Sequence, residues 1–262
     1  METVAPPRVV RSAVEPSFRP TGALARLGII VLATDLTSER DAAHLVPPEG
    51  AAVHVARIPF QNPSTPANLA RMAPDLTGAA DLILPDVPLS AVAFCCTAAS
   101  VEIGDGAIRH AVHAVRPGVP VVTPPDAAVA GFAALGVTRI ALVTPYLVET
   151  TIPMARYFSR RGLDLVSAQC LGIADDRDIA RVSEETIIEA AVAADRPEAE
   201  GVFLSCTALP AVGVIAAIEA RLGKPVISSN QAFIWQLLRH AQVAAPAHAP
   251  GRLFERDRTD AR

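Results

Sequence analysis

The sequence contains two similar halves, and this internal duplication restricts the fold more than any other feature. Three segments recur in the same order, at offsets of 113, 110 and 105 residues: Arg26–Val31 as Arg139–Thr144, Cys96–Ala98 as Cys206–Ala208, and Gly118–Val122 as Gly223–Ile227. Each match is weak alone, but three anchors in one order at nearly one spacing indicate a duplicated unit. The chain of 262 residues has room for two such units.

Each half is predicted to be an α/β unit, because short β-branched runs alternate with alanine-rich stretches. The candidate strands are Leu27–Leu32, Ala52–Ala56, Ala91–Cys95, Val119–Thr123, Arg139–Thr144, Leu163–Gln169, Gly201–Ser205 and Pro225–Ser228. Ser183 is predicted to cap one helix, and a second is predicted from Ala211 to Leu222 with Gly223 as its left-handed stop. We therefore expect two open parallel sheets flanked by helices, in lobes related by a pseudo-twofold axis.

The predicted boundaries give each lobe about half of the chain. Residues 1–25 contain four prolines and are expected to form an irregular arm. We assign residues 26–122 together with residues 229–249 to the first lobe, and residues 123–228 to the second. Residues 250–262 are expected to be a polar tail.

Composition excludes several classes of function. A formal charge of −4 offers no electrostatic footprint for nucleic acid, and no apolar run is long enough to cross a bilayer. The chain has a single lysine, no phosphate-binding loop and no G-x-G-x-x-G segment, so we expect no cofactor. The first residues lack the apolar region of a secretory signal, so we expect a cytoplasmic protein with reduced thiols.

The repeated Cys-Thr-Ala motif marks the candidate active site. Ligands of open parallel sheets bind beyond the carboxyl ends of the strands, and Cys96 and Cys206 both follow such strands. The two thiols are therefore expected to face each other across a cleft between the lobes. Thr207–Pro210 is predicted to open a helix whose N-terminus lowers the pKa of Cys206. Two opposed thiols suit either proton exchange at a carbon atom or addition to a carbon–carbon double bond.

The remaining cysteines and histidines are predicted to be structural. Cys95 faces away from Cys96 on an extended strand, and Cys170 has no partner motif. His110 and His113 lie on one face of a predicted helix, but a zinc site needs further ligands. We therefore expect no metal site.

The segments Phe94–Ser100 and Leu204–Leu209 resemble the two cysteine motifs of the maleate cis–trans isomerases, which belong with arylmalonate decarboxylase in the aspartate/glutamate racemase superfamily. The resemblance covers residues 26–240 and implies a cofactor-independent enzyme of two Rossmann-like lobes, with one catalytic cysteine from each. By the same resemblance, Cys96 is the nucleophile or base and Cys206 the opposing acid or base. It further implies substrate-binding roles, for a carboxylate or an enolate, at Tyr146, Thr97, Thr207 and the backbone of Ala98.

Two positions depart from the isomerase pattern and bear on the substrate. Asp35 and Asp176 stand where the isomerases have asparagines that donate to the carboxylates of maleate. An ionised carboxylate only accepts hydrogen bonds and repels a second carboxylate, so these residues favour a substrate with a cationic or N–H-rich end. The alternative is that both are loop or capping carboxylates. Leu32–Asp41 is also similar to the racemase-like proteins of ectoine-utilisation clusters, and ectoine carries an amidinium beside a carboxylate.

The sequence thus predicts a racemase or epimerase that acts at a carbon adjacent to a carboxylate, on an amino-acid-like zwitterion such as an ectoine derivative. A cis–trans isomerase that forms a cysteine thioether is the first alternative, and decarboxylation ranks behind it because the resembling decarboxylases lack the first cysteine. A two-lobed ligand-binding protein without turnover is the alternative from another class. We expect a small carboxylate as substrate, no nucleic-acid or membrane partner, and a homo-oligomer.

Overall fold

A computed structural model describes residues 8–18 and 24–260, and it contains two four-stranded parallel sheets. Sheet one has the order β2-β1-β3-β4 and sheet two the order β6-β5-β7-β8. The strands are β1 Ala25–Leu32, β2 Ala51–Ile58, β3 Ala91–Phe94, β4 Val121–Val122, β5 Arg139–Thr144, β6 Asp164–Cys170, β7 Gly201–Leu204 and β8 Val226–Ser228. The predicted fold class is confirmed, and all eight predicted strands form.

Helices flank both sheets. In chain order they are α1 Ser38–Leu45, α2 Pro66–Ala70, α3 Leu76–Leu82, α4 Thr97–Ile103, α5 Asp105–His113, α6 Pro124–Ala134, α7 Val148–Arg160, α8 Asp176–Ile179, α9 Glu184–Ala194, α10 Ile215–Leu222, α11 Ser229–Ala241 and α12 Arg252–Asp260. Within the residues described, no helix is both long enough and apolar enough to cross a membrane.

The strand order explains where a ligand site forms. The central strands are apolar and buried, as in Leu27–Leu32 of β1 and Ile140–Thr144 of β5, because helices cover both faces of each sheet. β1 pairs in parallel with β2 on one side and with β3 on the other. The strand order therefore changes direction at β1, because β2 is added to one side of this strand and β3 to the opposite side. β5 and β7 have the same relation in sheet two. The carboxyl ends at such a switch point diverge and leave a crevice.

The two lobes exchange helices. α6 follows the last strand of sheet one but packs against sheet two. Phe132 of α6 lies so close to Gly201 of β7 that a Cβ atom added at this glycine would be 3.0 Å from the phenylalanine ring. α11 follows the last strand of sheet two and packs against β1 and β3. Each lobe therefore contributes a helix to the other lobe, and the first residues of α11 lie beneath the loops that follow β3 and β7.

Several local predictions are confirmed and others are corrected. Ser183 caps α9 by accepting from the backbone N–H of Thr186, and Gly223 ends α10 at a φ of 69°. The helix predicted from Ala211 begins only at Ile215, after a short 3₁₀ turn at Val212–Val214.

The chain ends also differ from a simple arm and tail. The polar tail predicted for residues 250–262 contains α12 instead, because Leu253 and Phe254 are buried in the core. Of the predicted N-terminal arm, residues 8–18 contain neither helix nor strand, and residues 1–7 and 19–23 lie outside the described part. Residues 261 and 262 of the tail also lie outside it.

Candidate active site

The two Cys-Thr-Ala motifs meet between the lobes. The hydroxyl of Thr207 donates to the carbonyl oxygen of Cys95 at 3.0 Å, and the hydroxyl of Thr37 donates to the carbonyl oxygen of Thr207. The hydroxyl of Thr97 donates to Ser229 Oγ at 2.8 Å. These bonds join loops that follow β1, β3 and β7 to the start of α11, so the switch points of both sheets open onto one site.

Cys96 lies at the N-cap of α4, two residues after the end of β3, and its side chain is almost fully buried. Burial raises the pKa of its thiol well above the usual value, and a backbone hydrogen bond from Ala99 partly opposes this rise. A negative charge on Cys206 would raise the pKa of Cys96 further. The Cys96 thiol is therefore protonated at neutral pH.

Cys206 has an unusual backbone. Its φ is +96°, in the left-handed region that a side chain disfavours, and no helix begins at Thr207 because residues 207–209 form bends. The predicted helix N-terminus at this cysteine is therefore wrong. The conformation instead turns Cys206 Sγ towards its own loop, where it accepts from the backbone N–H of Ala208 at 3.3 Å.

Desolvation and Asp176 raise the pKa of Cys206, while hydrogen bonds lower it. Burial has the largest effect, and the negative charge of Asp176 adds to it. The hydroxyl of Tyr146 and the N–H groups of Ala208 and Leu209 favour the thiolate, which leaves the pKa at about 12. Loop amides therefore supply the thiolate stabilisation that we expected from a helix terminus.

Tyr146 is buried beside Cys206, directly after β5. Its hydroxyl accepts a long hydrogen bond of 3.5 Å from Ser205 and lies within hydrogen-bonding range of the Cys206 thiol. Burial and the nearby thiols raise the pKa of Tyr146, so the phenol remains a hydrogen-bond donor at neutral pH.

Asp176, which follows strand β6 of sheet two in the chain, hydrogen-bonds to residues that follow strands of sheet one. One of its carboxylate oxygens accepts from the hydroxyl of Thr34 at 2.6 Å, and its backbone N–H donates to Asn62 Oδ1 at 2.9 Å. Burial, with smaller effects from the charges of Asp35 and Asp175, raises its pKa to about 6. The negative charge of this carboxylate adds to the effect of burial and raises the pKa of both Cys96 and Cys206.

Asp35 caps the first turn of α1. One carboxylate oxygen accepts from the backbone N–H groups of Thr37 and Ser38, at 2.9 and 2.8 Å, and the other accepts from the hydroxyl of Ser38 at 2.7 Å. Both oxygens are thus engaged locally, which matches the capping alternative. The charge of Asp35 still acts on Cys96 and raises the pKa of its thiol.

The other predicted residues lie in the same region. Thr97 and Ala98 are the first two residues of α4, where backbone N–H groups have no partner within the helix. Thr207 is buried, and its hydroxyl hydrogen is engaged by Cys95. Asp176 raises the pKa of both thiols and Asp35 that of Cys96, and both of these side chains are acidic. Among the described residues, no group of three or more His, Cys, Asp and Glu side chains is arranged to hold a metal ion.

Comparison with known proteins places the chain in a family. A family model described as arylmalonate decarboxylase matches residues 91–254. The chain belongs to the arylmalonate decarboxylase family. The arylmalonate decarboxylase of Bordetella bronchiseptica is 36% identical over 141 residues, a stretch that spans 53% of this chain and 59% of that relative.

Similarity over most of the chain is found with maleate isomerases. The maleate isomerase of Nocardia farcinica is 25% identical over 243 residues, which are 88% of this chain and 96% of that relative. The crystal structure of the maleate isomerase Iso from Pseudomonas putida S16 has a TM-score of 0.80 at 25% identity and covers 88% of this chain and 98% of that one. The predicted membership of the branch that holds both enzymes is confirmed, and with it the prediction of an enzyme.

Sequence reasoning missed several residues that shape this family member's site. Thr34 and Asn62 bind Asp176, and Ser229 and Asn230 at the start of α11 bind the loop of Cys206. The duplication carried a signal for the last two, because Ser229 and Asn230 directly follow the repeated strand β8. The signal for Thr34 was its position beside Asp35, in the loop that we compared with the isomerases.

Proposed function

We propose that the chain is a cofactor-independent racemase or epimerase in which Cys96 and Cys206 exchange a proton at a carbon adjacent to a carboxylate. One observation carries the proposal. Two buried thiols follow the equivalent strands β3 and β7 of two duplicated lobes, and the hydroxyl of Thr207 joins their motifs by donating to the carbonyl oxygen of Cys95.

The proposed reaction needs one thiolate and one thiol. The thiolate accepts the proton of the α-carbon as the C–H bond breaks. The electron pair of that bond moves towards the carboxylate and forms an enolate. The opposing thiol then donates its proton to the other face of the same carbon, so the configuration inverts and the two sulfur atoms exchange protonation states. Tyr146 and the N–H group of Ala98 are the proposed donors to the enolate oxygens.

The charge of the site indicates how a substrate would activate the thiols. Burial raises the pKa of both thiols, and the carboxylate of Asp176 adds to each rise. A cationic group of the substrate beside Asp176 would cancel that contribution and lower both pKa values towards neutrality. A purely dianionic substrate would instead add negative charge to a site that already contains Asp35 and Asp176.

These charges favour an amino-acid-like zwitterion, with its cation at Asp176 and its carboxylate at Tyr146. An ectoine derivative has this arrangement, since a cyclic amidinium lies beside a carboxylate at a stereocentre. The similarity of Leu32–Asp41 to the ectoine-utilisation proteins supports this substrate class.

A maleate-type cis–trans isomerase is the second candidate. In that reaction one thiolate adds to a carbon–carbon double bond, rotation follows, and the thioether then eliminates. Its support is that maleate isomerases match most of this chain, and that the Nocardia farcinica enzyme has been crystallised with a covalently bound succinylcysteine intermediate.

Exchange of solvent deuterium tests the proposal. Each candidate zwitterion, including ectoine, hydroxyectoine and their ring-opened forms, is incubated with the enzyme in D₂O, and proton NMR follows the α-hydrogen. We expect exchange with inversion, and we expect Cys96→Ser and Cys206→Ser each to reduce its rate by orders of magnitude while the ligand still binds. Cys170→Ser is the matched control, because Cys170 ends β6 without a partner motif and should leave the rate unchanged.

The other hypotheses give different results in the same assay. Fumarate formed from maleate, without exchange of any zwitterion, would favour the thioether mechanism. Release of carbon dioxide would indicate decarboxylation, and binding without any turnover would indicate a ligand-binding protein. Full exchange activity in both serine variants would overturn the two-cysteine proposal.

A further inference from the structure

A single buried hydroxyl contacts both cysteine motifs. Ser229, the first residue of α11, is completely buried, and its Oγ accepts from the backbone N–H of Cys206 at 3.0 Å. The same oxygen accepts from the hydroxyl of Thr97 at 2.8 Å. Thr97 follows one candidate catalytic cysteine and Cys206 is the other, so Ser229 joins the two motifs through one atom.

The backbone of Cys206 requires such a contact. Its φ of +96° is sparsely populated by residues that carry a side chain, and such a conformation persists only where the surroundings fix it. The N–H group of Cys206 is buried, and Ser229 Oγ is the partner that it finds there. Immediately downstream, Asn230 Nδ2 and the hydroxyl of Thr37 both donate to the carbonyl oxygen of Thr207. The loop is thus held on both sides of the peptide bond between Cys206 and Thr207.

Pro124, at the equivalent position in the other half of the duplication, cannot make this contact. At the offset of 105 residues that relates Gly118–Val122 to Gly223–Ile227, Ser229 corresponds to Pro124, which has no hydroxyl. Cys96 has an ordinary extended φ of −147°, and its carbonyl oxygen accepts from Ser100. The two thiols therefore sit on differently built loops, and only Cys206 of the pair has a strained backbone with a cross-motif hydroxyl behind it.

We propose that Ser229 is a positioning residue for the reaction proposed above: its hydroxyl holds Cys206 in the left-handed conformation and fixes that thiol relative to the Cys96 motif through Thr97. The inference rests on the proposed function for its catalytic meaning, but its geometry is tested separately. Ser229 contacts no reacting atom in this arrangement, since it acts on the backbone of Cys206 and on the side chain of Thr97.

The test compares Ser229→Ala with Ser228→Ala. Ser228 is the neighbouring buried serine, and its hydroxyl caps α11 by accepting from the N–H of Gln231, so its loss measures general destabilisation of the helix start. The readout is the rate of iodoacetamide labelling at each cysteine from pH 6 to 10, measured by peptide mass spectrometry. The ratio of Cys206 to Cys96 labelling reports on the position of one thiol relative to the other.

We expect Ser229→Ala to change this ratio by about tenfold or more and to alter its dependence on pH. Displacement of a reactive group by about 1 Å has effects of that order or larger. Ser228→Ala should leave the ratio within about twofold of the wild-type value. Equal ratios in the two variants would overturn the inference. Where the native thiols resist labelling, the crystal structure of Ser229→Ala decides, and a Cys206 φ that stays near +96° refutes the positioning role.

Substrate exchange separates this inference from the proposed function. In the D₂O assay Ser229→Ala should lower kcat with little change in KM, because the binding groups Asp176 and Tyr146 are untouched. A shifted labelling ratio in an enzyme that exchanges no zwitterion would retain the positioning role and reject the proposed function. Normal exchange with an unshifted labelling ratio would retain the proposed function and reject the positioning role of Ser229.

Discussion

Thr34 and Asp176 form a hydrogen bond between the two lobes. The threonine follows β1 and the aspartate begins α8, and their oxygen atoms are 2.6 Å apart. Asn62 reinforces the contact, since its amide donates to Asp175 and its carbonyl oxygen accepts from the N–H of Asp176. A carboxylate that acts on both thiols is thus held in place by residues of the opposite lobe. This makes Asp176 the residue from which substrate preference is best tested.

Asp176→Asn should change the preferred charge of the ligand. The amide keeps an oxygen that accepts from Thr34, but it no longer attracts a cation or repels a carboxylate. We expect zwitterions to bind at least about tenfold more weakly and maleate to bind more tightly, because a charge-assisted hydrogen bond is lost and a like charge is removed. Titration calorimetry with both ligands measures this change. Tighter binding of the zwitterion by the variant would contradict the assigned role.

The same substitution should alter the pH dependence of stability. Burial raises the pKa of Asp176 from 3.8 to about 6, so the native state binds this proton more tightly than the unfolded state does. The resulting stabilisation is complete below about pH 4 and is lost as the pH rises through 6. Asp176→Asn, which does not titrate, should therefore become more stable relative to the wild type by up to about 2–3 kcal/mol between pH 4 and 7. Urea unfolding at each pH measures the difference.

Asp175→Asn is the matched control, with the opposite sign. Hydrogen bonds from Arg177 lower the pKa of the Asp175 carboxyl to about 2, so its contribution to stability is present above about pH 4 and is lost as the pH falls through 2. This variant should lose stability relative to the wild type as the pH rises from 2 to 4. Parallel pH profiles for the two variants would refute the assignment of these environments.

The positions of both cysteines followed from the sequence because duplication and sheet topology act together. A repeated motif after equivalent strands must lie at equivalent switch points, and Cys96 and Cys206 do so after β3 and β7. Apolar strand runs were equally predictable, since parallel strands are covered on both faces. These features depend on periodicity and chain order, which a sequence contains directly.

The supporting contacts were not predictable, since they depend on how separate elements meet. Ser229 is 132 residues from Thr97 in the chain and meets it only because α11 crosses to the first lobe. The sequence predicts that Thr207–Pro210 opens a helix, yet Cys206 has a positive φ and the residues that follow it are not helical. Burial of Leu253 and Phe254 likewise depends on tertiary packing that overrides the local polarity of residues 250–262.

Tyr146→Phe tests the hydrogen bond to the second thiol. The phenol lowers the pKa of Cys206, so its removal should raise that pKa and move the iodoacetamide labelling profile of Cys206 to higher pH. If Tyr146 also donates to the enolate, kcat for deuterium exchange should fall by about 100-fold, the effect of losing one such donor.

Tyr157→Phe is the control for this substitution. The hydroxyl of Tyr157 donates to Asp105 at 2.8 Å in a separate contact, and its removal should cost roughly 1 kcal/mol of stability. The Cys206 labelling profile should not move. An equal shift in both variants would indicate a general loosening of the structure and would leave Tyr146 without a specific role.

Gly251→Ala tests the packing that precedes α12. Gly251 has a φ of +85°, and a Cβ atom there would lie 2.7 Å from Ile215 Cγ2 and 2.8 Å from Gln231 Nε2. Gly136→Ala is matched in conformation, with a φ of +70°, but a Cβ atom there meets nothing within 4 Å. We expect Gly136→Ala to lose about 1 kcal/mol from backbone strain, and Gly251→Ala to lose about 2–4 kcal/mol because overpacking adds to that strain. Urea unfolding measures both values, and equal losses would show that α12 is not packed tightly on the core.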